Sequence, residues 1–325
     1  MERDLQEQLT KYLADAHSIE EQALAQLRTA PDIAGDPELT AHYRQHLAET
    51  EGQEARVRGL LEGRDAGPSR IKDVIMAVGG KGMVLFARSQ PDTPGKLHAH
   101  ALSYEALELA SYELLRRVAE RAGEQEIVGT ARAIGEQERA MMERLESSFD
   151  RAVDASLREH HRGDLGELVR KYLADAHAIE EQAIGLLERA PGASGEAPTL
   201  AGIYTDHLAE TRDQAELVQE RLHALGGDAS ALKDAAMRIG ALQWAMFFQG
   251  HPDTPGKLAA FAYAFEHLEI GGYEQLRRVA QRAGDEETAR LAVRILEQER
   301  DAARRIAGAF DEAAQAALAA VGVAG

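Results

Sequence analysis

Apolar side chains recur along this chain every three or four residues, the spacing that gathers them on one face of a helix. Leu102, Leu109 and Leu115 mark such a face, with polar residues between them. Proline and glycine cut the first half into helical segments at about 3–29, 37–63, 96–122 and 125–157. Pro37 suits the first helical position, where its missing N–H goes unused. Gly123 suits the left-handed position after the third helix, and Glu124 and Glu126 complement the N-terminal dipole of the fourth. Between the second and third segments, the apolar stretch Ile71 to Ala87 is interrupted by Gly79, Gly80 and Gly82. It predicts one or two short helices in a long crossover. The whole pattern predicts an all-α bundle of four helices, two antiparallel pairs joined by that crossover.

The pattern then repeats. Lys11 to Gln22 matches Lys171 to Gln182 except that Ser18 becomes Ala178, a likeness that requires duplication. The offset is 160 residues there and 161 after the loop with Pro191 and Pro198, and it holds through Pro91 to Lys96 and Pro252 to Lys257. One inserted residue in a loop accounts for the change. Two tandem bundles follow, at 1–157 and 165–325, around a polar linker at 158–164 whose His160 and His161 are read as solvated. The Ala-rich end from Ala313 to Gly325 is expected to finish the last helix and fray.

Composition narrows the class of function. A chain of 325 residues suffices for two domains, and 44% apolar with only 5% aromatic residues favours helices rich in Ala, Leu, Glu and Arg. The 55 acidic and 37 basic side chains leave a net charge of −18, which repels nucleic acid and anionic membranes and attracts cations. Without cysteine the chain has no disulfide and no thiolate metal site. No run approaches the roughly 20 apolar residues of a membrane span, and the acidic start lacks an apolar signal core. A soluble cytoplasmic protein is the expectation.

Candidate chemistry lies in residues that recur with the repeat. The second helix carries His46, Glu49 and Gln53 on one face, and its copy carries His207, Glu210 and Gln214. The third carries Glu105, Glu108 and Tyr112, matched by Glu266, Glu269 and Tyr273. Glu20 and Glu180 come from the first helix, Glu138 and Glu299 from the fourth. Nearby acids drift between copies, since Glu51 becomes Arg212 and Glu54 becomes Ala215, whereas the proposed ligands persist. Gathered inside a bundle, five carboxylates and one imidazole per unit hold like charges in a low dielectric, and basic partners are not evident along these stripes. Two divalent ions per bundle would neutralise most of that charge, and the oxygen-rich donor set suits iron or manganese, with zinc as a substitute. A single Glu on a helix is ordinarily solvated, so the argument rests on the recurrence.

These residues resemble the ferritin-like proteins of the YciE/YciF type (DUF892). Tyr12-Leu13-Ala14-Asp15-Ala16 with Glu20, His46-Leu47-Ala48-Glu49-Thr50 with Gln53, Glu105-Ala106-Leu107-Glu108 with Tyr112, and Glu138 are similar to that family's motifs on its four helices. The second copy is closer, with Glu266-His267-Leu268-Glu269 where the first has Ala106. The resemblance implies two tandem ferritin-like bundles and a stress-associated di-metal protein containing iron or manganese. A typical di-iron bundle uses Glu-x-x-His on two helices. Here the second helix reads His-x-x-Glu, and Met141 and Ala302 stand three residues after Glu138 and Glu299. One imidazole per site is missing, and His17 and His177 are candidates to supply it.

Three functions are open at this point. One is a di-metal oxidoreductase acting on oxygen or peroxide, as a ferroxidase or in peroxide detoxification. Another is metal sequestration or storage without turnover, and the third a helical scaffold with degenerate sites. The tandem units would form an internal pseudo-dimer, with further oligomerisation open. Tyr112 and Tyr273 are read either as core or as hydrogen-bond donors near the metals, and Trp244 and Met246 as packing. Asp-Thr-Pro-Gly-Lys lacks the spacing of a phosphate loop and is read as the turn that opens the third helix. No catalytic serine, cysteine or zinc-protease arrangement is present.

Overall fold

The computed structural model describes residues 2–64, 93–158, 161–227 and 254–323, and among them there is no strand. In the first unit α1 (Glu2–Leu27) passes through the one-turn α2 (Ala30–Ile33) to α3 (Pro37–Glu62), and α4 (Thr93–Ala122) leads into α5 (Gln125–Leu157). In the second, a 3₁₀ turn at Arg162–Asp164 precedes α6 (Leu165–Leu187), α7 (Ala190–Ala193), α8 (Pro198–Ala224), α9 (Thr254–Ala283), α10 (Glu286–Gly308) and α11 (Phe310–Ala320). By compactness the chain divides into Met1–Ser156 with Ala317–Gly325, and Leu157–Ala316. Among the described residues no helix is long and apolar enough to cross a membrane. The predicted crossover helices at 71–87, and Trp244 and Met246 in the second crossover, lie outside the described residues.

The caps follow from local chemistry. Asp36 precedes Pro37 in extended backbone, and its Oδ1 accepts from the N–H groups of Glu38 at 2.9 Å and Leu39 at 3.2 Å. Gly123 takes φ +74°, which lets the Glu124 N–H reach back to Ala119 O at 3.0 Å and close α4. The second unit has Ala197 where the first has Asp36, and α8 starts without a side-chain cap.

Core positions run down each helix at intervals of three and four. On α3 the buried set is Leu39, Tyr43, His46, Thr50, Gln53, Glu54, Val57 and Leu61. On α5 it includes Ile127, Ala131, Ile134, Glu138, Met141 and Leu145. Glu20 occupies the same stripe of α1 as the buried Ala16 and Ala23, and Glu105 and Glu108 stand between the buried Leu102 and Leu109 of α4. Apart from Glu49 and Glu210, the candidate ligands therefore sit at positions that the helical period reserves for the core.

Pairing gives the ferritin-like order. α1 and α3 are antiparallel, with His17 against Glu54 and Arg64 against Thr10. α4 and α5 are antiparallel, with His98 bonded to Leu145 O and the Gly95 N–H to Ser156. α3 and α4 run in the same direction, since Tyr43 meets His98 while Arg64 meets Glu124 beyond the other end of α4. The fold is all-α, two tandem ferritin-like four-helix bundles.

The C-terminal stretch departs from expectation. The fourth helix of the second unit stops at Gly308, Ala309 turns at φ −98° and ψ 3°, and α11 begins at Phe310. Gly308 weakens the helix at the break. Phe310 then packs edge-on to Tyr263 at 5.5 Å between ring centroids. Ala313, Ala314, Ala316 and Ala317 are buried, so this segment is packed helix rather than a frayed end.

Candidate metal centre

Three helices deliver ligand atoms to one point in each unit. In the first, His46 from α3, Glu105 and Glu108 from α4 and Glu138 from α5 each place one such atom within 4.8 Å of all the others. His207, Glu266, Glu269 and Glu299 do the same in the second. All eight side chains are buried, and His46, Glu138 and Glu299 have 0% exposure. Buried carboxylates are costly unless something positive or a hydrogen-bond donor meets them.

The inner atoms lack such donors. Among the first unit's buried side-chain atoms without a hydrogen-bond partner are Glu20 Oε2, His46 Nε2, Glu105 Oε2, both oxygens of Glu108, and Glu138 Oε2. The matching atoms of Glu180, His207, Glu266, Glu269 and Glu299 are also unpartnered. His46 Nε2 lies 2.8 Å from Glu105 Oε2 and 3.6 Å from Glu138 Oε2, ion-pair approaches that exist only while the imidazole is protonated. In the second unit the corresponding separations are 2.9 and 3.5 Å. Acceptor atoms crowded together without donors are the arrangement a cation satisfies.

The outer atoms are fully engaged. Tyr112 donates its hydroxyl to Glu20 Oε1, and Tyr273 does so to Glu180 Oε1. Gln53 donates to Glu138 Oε1 and Gln214 to Glu299 Oε1. His46 Nδ1 meets Glu49 Oε2 at 3.3 Å, and His207 Nδ1 meets Glu210 Oε2 at 3.1 Å. With Nδ1–H held by a carboxylate, a neutral imidazole would turn the Nε2 lone pair inward, as in carboxylate–histidine–metal triads.

Electrostatics without a cation record the strain. Burial pushes the Glu20 and Glu180 carboxyls up to about 8, although the tyrosine hydrogen bonds pull the other way. Burial, followed by the neighbouring carboxylates, holds Glu108, Glu138, Glu269 and Glu299 well above the usual carboxylate range. Burial is the largest influence on His46 and lowers it, but Glu105, Glu49 and Glu138 together outweigh burial and hold the imidazole well above its ordinary value. Each group shifts toward the protonation state that lowers the cluster's negative charge.

The family model for "Domain of unknown function (DUF892)" matches residues 4–158 and again 164–319. The chain belongs to the DUF892 family. No solved structure matches it.

The residues predicted as ligands in this DUF892 chain separate into inner and outer sets. His46, Glu105, Glu108 and Glu138 come together, as do their copies, in a buried His/Glu group compatible with a metal site. Glu20 and Glu180 lie beside it through one unpartnered oxygen each. Glu49 and Glu210 are not in the group. Glu49 reaches outward to Arg144 at 2.8 Å and Glu210 to Arg305 at 2.8 Å. The hydrogen bond from His46, then the pull of Arg144 against burial, brings Glu49 down to about 2. These arginines are the basic partners that the stripes of α3 and α4 did not reveal, because they come from the fourth helix. They do recur at the repeat spacing, Arg144 with Arg305, which is the signal that would have found them.

Neither histidine of the first helix completes the group. His17 Nε2 is bonded to Glu54 Oε1 at 3.0 Å, and His177 Nε2 faces Glu181 at 4.0 Å. His267 directs Nδ1–H to Tyr263 O at 2.8 Å. His161 is exposed, while His160 lies outside the described residues.

Proposed function

We propose that each unit binds two divalent ions of the iron or manganese class, between Glu20, His46, Glu105, Glu108 and Glu138 or their copies, and that the bound metals react with oxygen or peroxide. The observation that carries this reading is the set of buried, donorless ligand atoms gathered from four helices. Charge supports the count. Glu20, Glu105, Glu108 and Glu138 bring four negative charges when ionised, which two divalent ions cancel, and the fifth carboxylate, Glu49, is already met by Arg144. Carboxylate oxygens with one imidazole nitrogen favour iron or manganese over copper, and zinc is the expected substitute in their absence.

Bound metals of this class supply Lewis acidity and electrons for reduction of oxygen or peroxide. The chain's own residues do the positioning. Glu49 fixes the ring of His46 through Nδ1, while Tyr112 and Gln53 occupy the Oε1 atoms of Glu20 and Glu138 and leave each Oε2 facing inward. Burial of these side chains keeps bulk water out and strengthens every charge interaction among them. Ferroxidase or peroxide-detoxifying activity in stress defence is the reading that fits best, carried by domains at 1–157 and 165–325 around the linker 158–164.

The test is elemental analysis of protein prepared in metal-replete medium, alone and as Glu108→Ala/Glu269→Ala. Stoichiometric iron or manganese in the first, lost in the second, is expected. Its absence from the wild-type chain refutes metal binding. Oxygen and peroxide consumption by the loaded protein then separates turnover from storage.

A further inference from the structure

A cavity of about 40 Å³ lies in the first unit between the C-terminal end of α1, α2 and the start of α4. Its wall is half-buried at Thr29, Ile33 and Leu97 and buried at Ala23, Tyr43 and Glu105, so one carboxylate of the His/Glu group lines it. Glu105 is the carboxylate whose Oε2 approaches His46 Nε2 at 2.8 Å.

The two tyrosine hydroxyls of the wall are occupied, while Gln26 also lines it and Glu105 Oε2 is bare. Tyr104 donates its hydroxyl to Ile19 O at 3.0 Å, and Tyr43 pairs with His98 Nδ1 at 3.1 Å. Burial, with Lys96 nearby, brings His100 down to about 4, so its imidazole is neutral at physiological pH. Much of what remains is hydrocarbon, including Ala23, Leu97 and Ala101. The volume allows roughly two or three water-sized positions, and small apolar cavities take up apolar gases in preference to water.

We propose that this cavity is a binding site for a small uncharged apolar molecule of the dioxygen class, held against Glu105 beside the metal group. The assignment rests on the metal reading above and narrows it, favouring dioxygen over hydrogen peroxide. Peroxide brings two hydroxyl groups, each of which needs a partner to leave water without loss. The assignment is specific to the first unit. At the repeat spacing, Phe261 and Phe265 stand where the first unit has His100 and Tyr104, with ring centroids 6.2 Å apart.

Dioxygen itself is the probe, because its paramagnetism broadens nearby methyl resonances. Methyl-labelled full-length chain, freed of metal by chelator, is compared under oxygen and argon pressure. Broadening is expected to be stronger at Ala23, Ile33, Leu97 and Ala101 than at the exposed Val293, and to be lost from the remaining cavity methyls in Ala101→Leu. Leu97→Phe is a second closure, with the same expected loss, if Ala101→Leu does not fold. Broadening no greater than at Val293, persistence of the effect in a folded closed variant, or peroxide-induced shifts at the same methyls would overturn the proposal. Metal content measured on the same preparations before the chelator step tests the other reading by itself. Metal uptake without cavity broadening refutes only the cavity, and broadening without metal uptake supports the cavity while refuting the metal reading.

Discussion

Replacing Glu108 and Glu269 by glutamine should move stability in opposite directions with and without metal. Both oxygens of each residue are buried and unpartnered, and no cation meets them in the metal-free chain. Either the carboxyl ionises beside other acids or it stays protonated. Ionised groups within 4.8 Å repel by at least about 3 kcal/mol per pair at an effective dielectric of about 20. Holding the carboxyl protonated at pH 7, against an ordinary value of 4.5, costs up to about 3 kcal/mol at 1.36 kcal/mol per unit. The two routes agree, so Glu108→Gln/Glu269→Gln is expected to stabilise each metal-free unit by up to about 3 kcal/mol at pH 7. The amide stays as poorly partnered as the protonated acid, so that contribution nearly cancels. With metal bound the change removes a charged ligand and is expected to destabilise by about 3–5 kcal/mol. Urea unfolding in chelator and in saturating iron or manganese measures both. A variant that is less stable than wild type in chelator, or whose change has the same sign in both conditions, refutes the reasoning.

Glu49→Ala/Glu210→Ala leaves the inner group intact but frees the imidazole and strands Arg144 and Arg305. Metal titration should show affinity falling by about 10–100-fold with unchanged stoichiometry at saturation, and a loss of sites would instead make Glu49 a direct ligand. The pH dependence of metal-free stability has a defined sign. Glu20 and Glu180 are raised from 4.5 to about 8, so the folded chain binds more protons than the unfolded chain between these values. The stability they contribute is complete below about 4.5 and is lost as pH rises through about 8. Chelator-treated protein should therefore lose stability across that window, and metal should flatten the profile. A rise in chelator-treated stability between these limits would contradict the assignment.

Several features were legible in the chain because they depend on residues close in sequence. Pro37 opens α3, Gly123 closes α4, and α5 spans the predicted 125–157. His46, Glu105, Glu108 and Glu138 were identifiable because acids and a histidine recur at core positions in both copies. The one-turn helices Ala30–Ile33 and Ala190–Ala193 escaped notice, since a single turn is too short to show a period. The role of Glu49 escaped too. Its spacing from His46 places both on one face of α3, but it cannot say whether that carboxylate turns inward or toward Arg144, 95 residues away.

The sequence by itself determined the long helices, their duplication and the core positions of Glu20, Glu105, Glu108 and Glu138, because helical period and capping act over a few residues. Tertiary structure alone decided which oxygen of each carboxylate is left bare. That choice belongs to partners on other helices: Tyr112 for Glu20, Gln53 for Glu138, Arg144 for Glu49. A buried acid turns one oxygen to whatever donor packing brings near it, and the unpartnered oxygens that remain define the candidate metal site.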